Sequence, residues 1–115
     1  MKKINWFEPK INNFNYNILR STLKNNFISE GRVTSFLEKK IAKFLKIKNV
    51  VMTSSGTSAL YLALRSLNVS SKDEVILPNI TYVATLNAIK LTGAKPVLAD
   101  VNKNTSLLDL SEVKK

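Results

Sequence analysis

Apolar residues recur at three- and four-residue steps through Val33, Phe36, Leu37, Ile41, Phe44 and Leu45, while Lys39, Lys40, Lys43 and Lys46 fall on the other side. That period predicts an amphipathic helix over about Arg32 to Lys46, with one stripe packed on a core. The pattern then shortens. Val50, Val51 and Met52 form an apolar, β-branched run that ends in Thr53, Ser54 and Ser55, and Gly56 permits a sharp turn, as at the end of a strand. Ala59, Leu60, Leu62, Ala63, Leu64 and Leu67 are spread around most of a helix circumference, which predicts a buried helix.

Asn68 to Asp73 is a polar turn, and Glu74-Val75-Ile76-Leu77-Pro78 is a second apolar strand that Pro78 terminates. A helix follows from Tyr82 to about Leu91, with Gly93 where a glycine ends one. Lys95 to Ala99 is a third strand with Asp100 at its carboxyl end. Asn102 to Thr105 is a turn, and Asp109 to Lys115 opens another helix. Ahead of all this, residues 1 to 15 carry Trp6, Phe7, Ile11 and Phe14 without periodicity and with Pro9 as a breaker, which predicts an extended arm. A short helix from Tyr16 to about Asn26 is then broken at Phe27-Ile28-Ser29-Glu30-Gly31.

Three strands alternating with helices predict an α/β fold with a mostly parallel sheet, whose ligand lies off the carboxyl ends of the strands. Ser54 to Ser58, Asn79 to Tyr82 and Asp100 each follow a strand end, so all three are expected on one rim. The Ser-Gly-Thr turn into the helix of Ala59 to Leu67 leaves first-turn N–H groups and the positive end of the helix dipole facing open space, a place for a phosphate. Plain capping by Ser55 explains the same residues. Neither G-x-G-x-x-G nor a Walker glycine loop occurs. Tyr82 reads equally as a helix-start packing residue, and Asp100 as a turn or cap residue.

Composition narrows the chemistry. With 115 residues the chain is one domain or a part of a larger one. Cysteine is absent, which removes disulfides and thiolate metal sites, and histidine is absent, which removes the usual general base and the commonest zinc ligand. The formal charge of +10 raises nucleic acid as a partner, yet the lysines are scattered and sit beside amphipathic helix faces. No apolar run approaches the ~18 residues of a membrane span, and MKKINWFEPK lacks the apolar middle of a signal peptide. A cytoplasmic protein with no membrane or nucleic-acid partner is expected.

The run Ser29-Glu30-Gly31, then FLKIKNVVMTSSGTSALYLALRSL, DEVILPNITYVATLNAI and TGAKPVLADV, resembles the start of the DegT/DnrJ/EryC1/StrS family over about residues 25 to 110. Those are pyridoxal-phosphate-dependent aminotransferases acting on nucleotide-linked keto-sugars. The resemblance implies that Gly56, Thr57 and Ser58, in the family's S-G-T-x-A-L turn, hold the phosphate of pyridoxal 5′-phosphate (PLP), whose binding by this chain is expected to be incomplete. It implies that Tyr82, in P-x-x-T-[aromatic]-x-A-T, stacks on the pyridine ring. Asp100 corresponds to the first acid of a D-x-D-like strand end, but Asn102 stands where a second acid is common, so that pair carries no catalytic weight.

The resemblance further implies a partial PLP-transferase type I large domain, a three-layer α/β/α arrangement in which the first and second strands are not sheet neighbours. Residues 1–31 would be an arm and short helix, and residues 32–115 the first, incomplete part of the cofactor-binding domain. The Schiff-base lysine and the aspartate that protonates the pyridine nitrogen lie downstream in this family, and no lysine here falls in the lysine motif. No catalytic residue and no metal is therefore assigned, and the chain alone is expected to be inactive. Nucleotide-sugar substrate, amino-acid donor and a homodimer partner belong to the full-length enzyme, in polysaccharide or deoxyaminosugar biosynthesis. The alternatives are a PLP-dependent sugar dehydratase on the same scaffold and a basic α/β nucleotide- or nucleic-acid-binding module.

Overall fold

The helical periods fold as helices in a computed structural model that describes residues 13–24 and 31–114. The expected arm at residues 1–12 and most of the break around Phe27 lie outside the described residues, whereas residues 13–15, expected as arm, begin a helix. The chain divides into two units, Met1–Val51 and Met52–Lys115.

In the first unit, α1 spans Asn13–Lys24 and α2 spans Arg32–Leu45. Lys46 ends α2 in the left-handed conformation (φ 54°), its N–H donating to the Lys43 carbonyl at 3.3 Å while the Ile47 N–H donates to the Ala42 carbonyl at 3.0 Å. This is the paired closure usually built on glycine. The apolar stripe of α2 forms, but the expected burial does not: no residue of α2 is buried, and Phe44 is 85% exposed. A stripe needs a second layer to cover it, and Leu19 and Leu23 of α1 are themselves exposed. Phe36 lies instead beneath the Lys40 ammonium, 4.7 Å from the ring centroid, a partner one helical turn away.

The second unit starts at α3 (Gly56–Ser66) and continues through β1 (Glu74–Pro78), α4 (Val83–Thr92), β2 (Lys95–Ala99) and the single turn α5 (Leu110–Val113). The strands pair parallel, in register from Glu74↔Lys95 to Pro78↔Ala99, as a helical crossover demands. An ion pair of 2.7 Å joins Lys95 Nζ to Glu74 Oε1 at the first register position, and this carboxylate holds the Lys95 ammonium above its usual range. Both side chains are exposed, so the pair helps mark register more than it stabilises.

The core lies between α4 and the sheet. Leu77, Ile89 and Ala94 are buried together, with Leu64, Val69, Val75 and Leu86 packed around them. On α4, Ala84, Ala88 and Thr92 follow one another at four-residue steps and Ile89 sits beside them, so a narrow face of small side chains turns inward. Thr92 is satisfied there: its hydroxyl donates to the Ile89 carbonyl (2.7 Å) and accepts from the Ala94 N–H (3.2 Å).

Further expectations are corrected. Val50, Val51 and Met52 do not form a strand, and the sheet among the described residues has two strands, not three. An extended apolar run becomes a strand only when neighbours accept its N–H and C=O groups, and β1 and β2 take each other. Nor is α3 buried: none of its residues is, and Leu60 and Leu62 remain exposed. Its Leu64 packs on the core and Thr57, Ser58 and Tyr61 are half-buried, while Leu60 and Leu62 lack a covering layer.

Local chemistry accounts for the ends of α3 and α4. Ser55 is extended (φ −161°, ψ 161°) and its Oγ accepts from the Ser58 N–H at 3.1 Å, a side-chain cap on the first turn. The expected sharp turn at Gly56 is absent, since Gly56 is the first helical residue and only Gly93 among the glycines has positive φ. Gly93 ends α4 at φ 87°, with Ser71 Cβ 3.4 Å from where its own Cβ would be. In urea denaturation followed by circular dichroism, Gly93→Ala should lower stability by about 1–2 kcal/mol. Gly56→Ala should be neutral or up to about 1 kcal/mol stabilising, because an added Cβ meets nothing and alanine favours a helix. Equal losses at the two glycines would contradict this account. Ser55→Ala should remove about 1 kcal/mol with its cap, read in the same experiment.

Candidate cofactor site

The first turns of α3 and α4 open onto a shared concavity of about 760 Å³. From α3 come Gly56, Thr57, Ala59, Leu60 and Ala63; from the start of α4 come Tyr82, Ala84 and Thr85. Helix packing brings them together: α3 lies along α4, and the small side chains Ala59, Ala63 and Ala84 leave room between the two starts.

The polar groups at the start of α3 divide into bonded and free. The Ser58 N–H is taken by Ser55 Oγ, and the Ser58 hydroxyl lies 3.0 Å from Ser55 Oγ and 3.3 Å from Ser54 Oγ. Thr53 supports the same bend by donating its hydroxyl to the Ser55 carbonyl at 2.9 Å. The N–H groups of Gly56 and Thr57 find no acceptor among the described residues, and neither does the Thr57 hydroxyl. Those amides sit in the first turn of an eleven-residue helix, where the dipole favours an anion. A Cβ at Gly56 would meet no atom within 4 Å, so the glycine leaves free space on the wall it lines.

Tyr82 occupies the position before α4, with an extended backbone (φ −70°, ψ 134°) and no side-chain cap. Its carbonyl accepts from the Thr85 N–H at 3.0 Å, and its side chain stands 79% exposed on the concavity. A flat aromatic face is thereby presented beside two free amides.

The rim expected from the sequence is only partly assembled. Gly56, Thr57 and Tyr82 share the concavity; Ser58, Asn79 and Asp100 do not line it. Asp100 instead serves the turn that follows β2: its Oδ1 accepts from the Val101 N–H (2.8 Å), and its carbonyl accepts from the Asp109 N–H (3.0 Å). Asn102 is likewise structural, its Oδ1 accepting from the N–H groups of Asn104 (3.0 Å) and Thr105 (3.3 Å). Sequence reasoning missed Ala59, Leu60, Ala63, Ala84 and Thr85 as wall residues. The available signal was helical spacing: Leu60 follows Gly56 by four residues, Ala63 follows Ala59 by four, and Thr85 follows Tyr82 by three.

A model of the DegT/DnrJ/EryC1/StrS aminotransferase family matches residues 9–115. GDP-perosamine synthase of Escherichia coli O157:H7 is 35% identical over 114 residues, which cover 98% of this chain and 31% of that relative. The sugar aminotransferase Spr1654 of Streptococcus pneumoniae, solved in a PMP form, superposes with a TM-score of 0.91 at 32% identity, covering 98% of this chain and 28% of that one. Its PLP form superposes equally well, with a TM-score of 0.91. The GDP-4-keto-6-deoxy-D-mannose-3-dehydratase of Escherichia coli, solved with bound hydrated PLP, has a TM-score of 0.82 at 25% identity and covers 93% of this chain and 29% of that one. The chain thus spans less than a third of the length of these relatives. Its small parallel sheet and flanking helices are part of the α/β fold of PLP aminotransferases. Sequence match and superposition agree over nearly every residue, and the chain belongs to the DegT/DnrJ/EryC1/StrS aminotransferase family, whose enzymes depend on PLP.

Proposed function

We propose that this chain supplies the phosphate cradle and ring-stacking wall of a PLP-dependent aminotransferase that acts on nucleotide-linked keto-sugars. One observation carries the reading: Gly56, Thr57 and Tyr82, from two different helix starts, line a single concavity. The donor set suits the group. Two free amides and a hydroxyl offer neutral donors to a phosphate, the absent Cβ of Gly56 leaves the anion room, and Tyr82 offers a flat face to a pyridine ring. Ser58 contributes by fixing the first turn through its bonds to Ser55, and its remaining contact to the phosphate rests on the family motif alone.

When bound, PLP supplies an electron sink for moving an amino group from an amino-acid donor to a keto-sugar. The residues of this chain bind and orient. The first turn of α3 anchors one end of the cofactor, and Tyr82 restricts the tilt of its ring. Among the described residues none occupies a lysine position of the family's Schiff-base motif, so proton transfer and covalent attachment belong to residues outside them. Glutamate as donor, a homodimer, a cytoplasmic setting and a boundary near Gly31 between arm and cofactor domain complete the proposal. GDP-perosamine synthase supports a nucleotide-sugar substrate. The likeness to the dehydratase keeps one second reading, loss of a sugar hydroxyl on the same scaffold.

Thr57→Val should weaken binding of pyridoxamine 5′-phosphate, followed by its intrinsic fluorescence, about ten- to a hundredfold, the range for one lost hydrogen bond to a charged group. Inorganic phosphate should compete for the same place. Unchanged affinity in Thr57→Val, or no competition, would sink the cradle. The 115-residue chain, given PLP, glutamate and a nucleotide-linked 4-keto-sugar, should show no amino-sugar product by mass spectrometry, and turnover would refute the assignment of covalent chemistry to other residues.

A further inference from the structure

Thr85 is the remaining polar side chain on the concavity. It lies in the first turn of α4, three residues past Tyr82, half-buried, among the apolar neighbours Ala59, Leu60, Ala63 and Ala84. Its N–H is used by the Tyr82 carbonyl (3.0 Å), but its hydroxyl has no partner among the described residues. A helical threonine ordinarily returns its hydroxyl to a carbonyl three or four residues back, as Thr92 does toward Ile89 at 2.7 Å in the same helix. Thr85 does not. Thr85 as a residue is half-buried while its hydroxyl oxygen stays accessible, so it is open to an acceptor brought into the concavity.

The same comparison disposes of the other polar groups nearby. Ser54, Ser55 and Ser58 satisfy one another across the bend, and Asp100 and Asn102 are engaged with backbone amides. The Gly56 and Thr57 donors belong to the start of α3, whereas Thr85 stands on the α4 side with Tyr82. A ligand anchored at the first and stacked on the second lies against the wall that carries Thr85.

We infer that the Thr85 hydroxyl donates a hydrogen bond to an acceptor on the aromatic ring of the ligand held in this concavity, and so sets the rotation of the ring about its phosphate anchor. This rests on the phosphate cradle and stacking wall proposed above. The chemical class recognised is a phosphorylated heteroaromatic bearing an oxygen or nitrogen acceptor on its ring. Thr85 then discriminates such a ligand from a bare phosphate, which Gly56 and Thr57 hold without it. Its role is positioning, since it acts on the orientation of the ring and not on a bond being made.

The test compares two probes on three variants of the chain. Pyridoxamine 5′-phosphate is used because its amine does not condense with the protein's lysines, and inorganic phosphate is the ringless control, read by competition. Thr85→Val, nearly isosteric, should weaken the ring-bearing probe about tenfold and leave phosphate within twofold; Thr85→Ser should restore the loss. Thr57→Val should weaken both probes. Circular dichroism of Thr85→Val must match the parent, and if it does not, Thr85→Ser alone decides, because a ligand-facing hydroxyl predicts parental affinity with serine. Equal affinity of Thr85→Val and parent for the ring-bearing probe, with Thr57→Val still impaired, would overturn the role of Thr85 and leave the cradle standing. Parent binding of neither probe would overturn both.

Discussion

The close approach of α3 to α4 is the constraint on which the candidate site depends. Both helices must begin at the same end of the packed pair for Gly56 and Tyr82 to share a wall, and small side chains make that approach feasible. Ala84, Ala88 and Thr92 turn the inner face of α4 into a shallow stripe, and Ile89 anchors it on Leu77 of the sheet. A larger residue at Ala88, 1% exposed, would push the helices apart or strain the core. Ala59, Ala63 and Ala84, which line the concavity, are the small side chains at that approach.

The phosphate cradle proposed here would use dipoles in place of charge. The chain carries a formal charge of +10, yet among the described residues no lysine or arginine lines the concavity. Backbone amides at a helix start have fixed directions, and a nearby glycine leaves space for an oxygen to approach them. A lysine would supply a stronger but less directional field. The basic residues of α2, Lys39, Lys40 and Lys43, border its open apolar stripe instead, and one of them covers Phe36. Net charge thus describes the surface of this chain without locating its chemistry.

Much apolar surface is left uncovered. Ile76 and Leu98, on neighbouring strands, are exposed, as are Leu60 and Leu62 on α3 and Phe44 on α2. A two-stranded sheet with a handful of fully buried side chains is at the edge of independent stability. Relatives that share this stretch at 35% identity are about three times longer, the chain covering 31% of one of them. Residues whose sequence pattern reads as core, and which are exposed here, are thus accounted for as faces shaped for a larger α/β domain of the same family. The same explanation covers Val50, Val51 and Met52, a strand-like run outside the sheet among the described residues.

Local order was legible in the sequence because its causes are local. The period of α2, the strand at Glu74–Pro78 bounded by Pro78, the glycine that ends α4, the cap at Ser55 and the Asn102 turn each follow from residues within a few positions of one another. The family, too, was written in the order and spacing of its motifs. Burial and pairing were not legible, because they depend on surfaces distant in the chain: α3 and α2 carry the right residues for a core and lack the layer that would cover them. Tertiary structure alone separated Thr57 and Tyr82, which meet at one concavity, from Asp100, which the turn after β2 turns to its own use. It also brought Thr85 to the wall, since whether a helical hydroxyl bonds its own backbone or faces a cavity is decided by the neighbour packed against that helix.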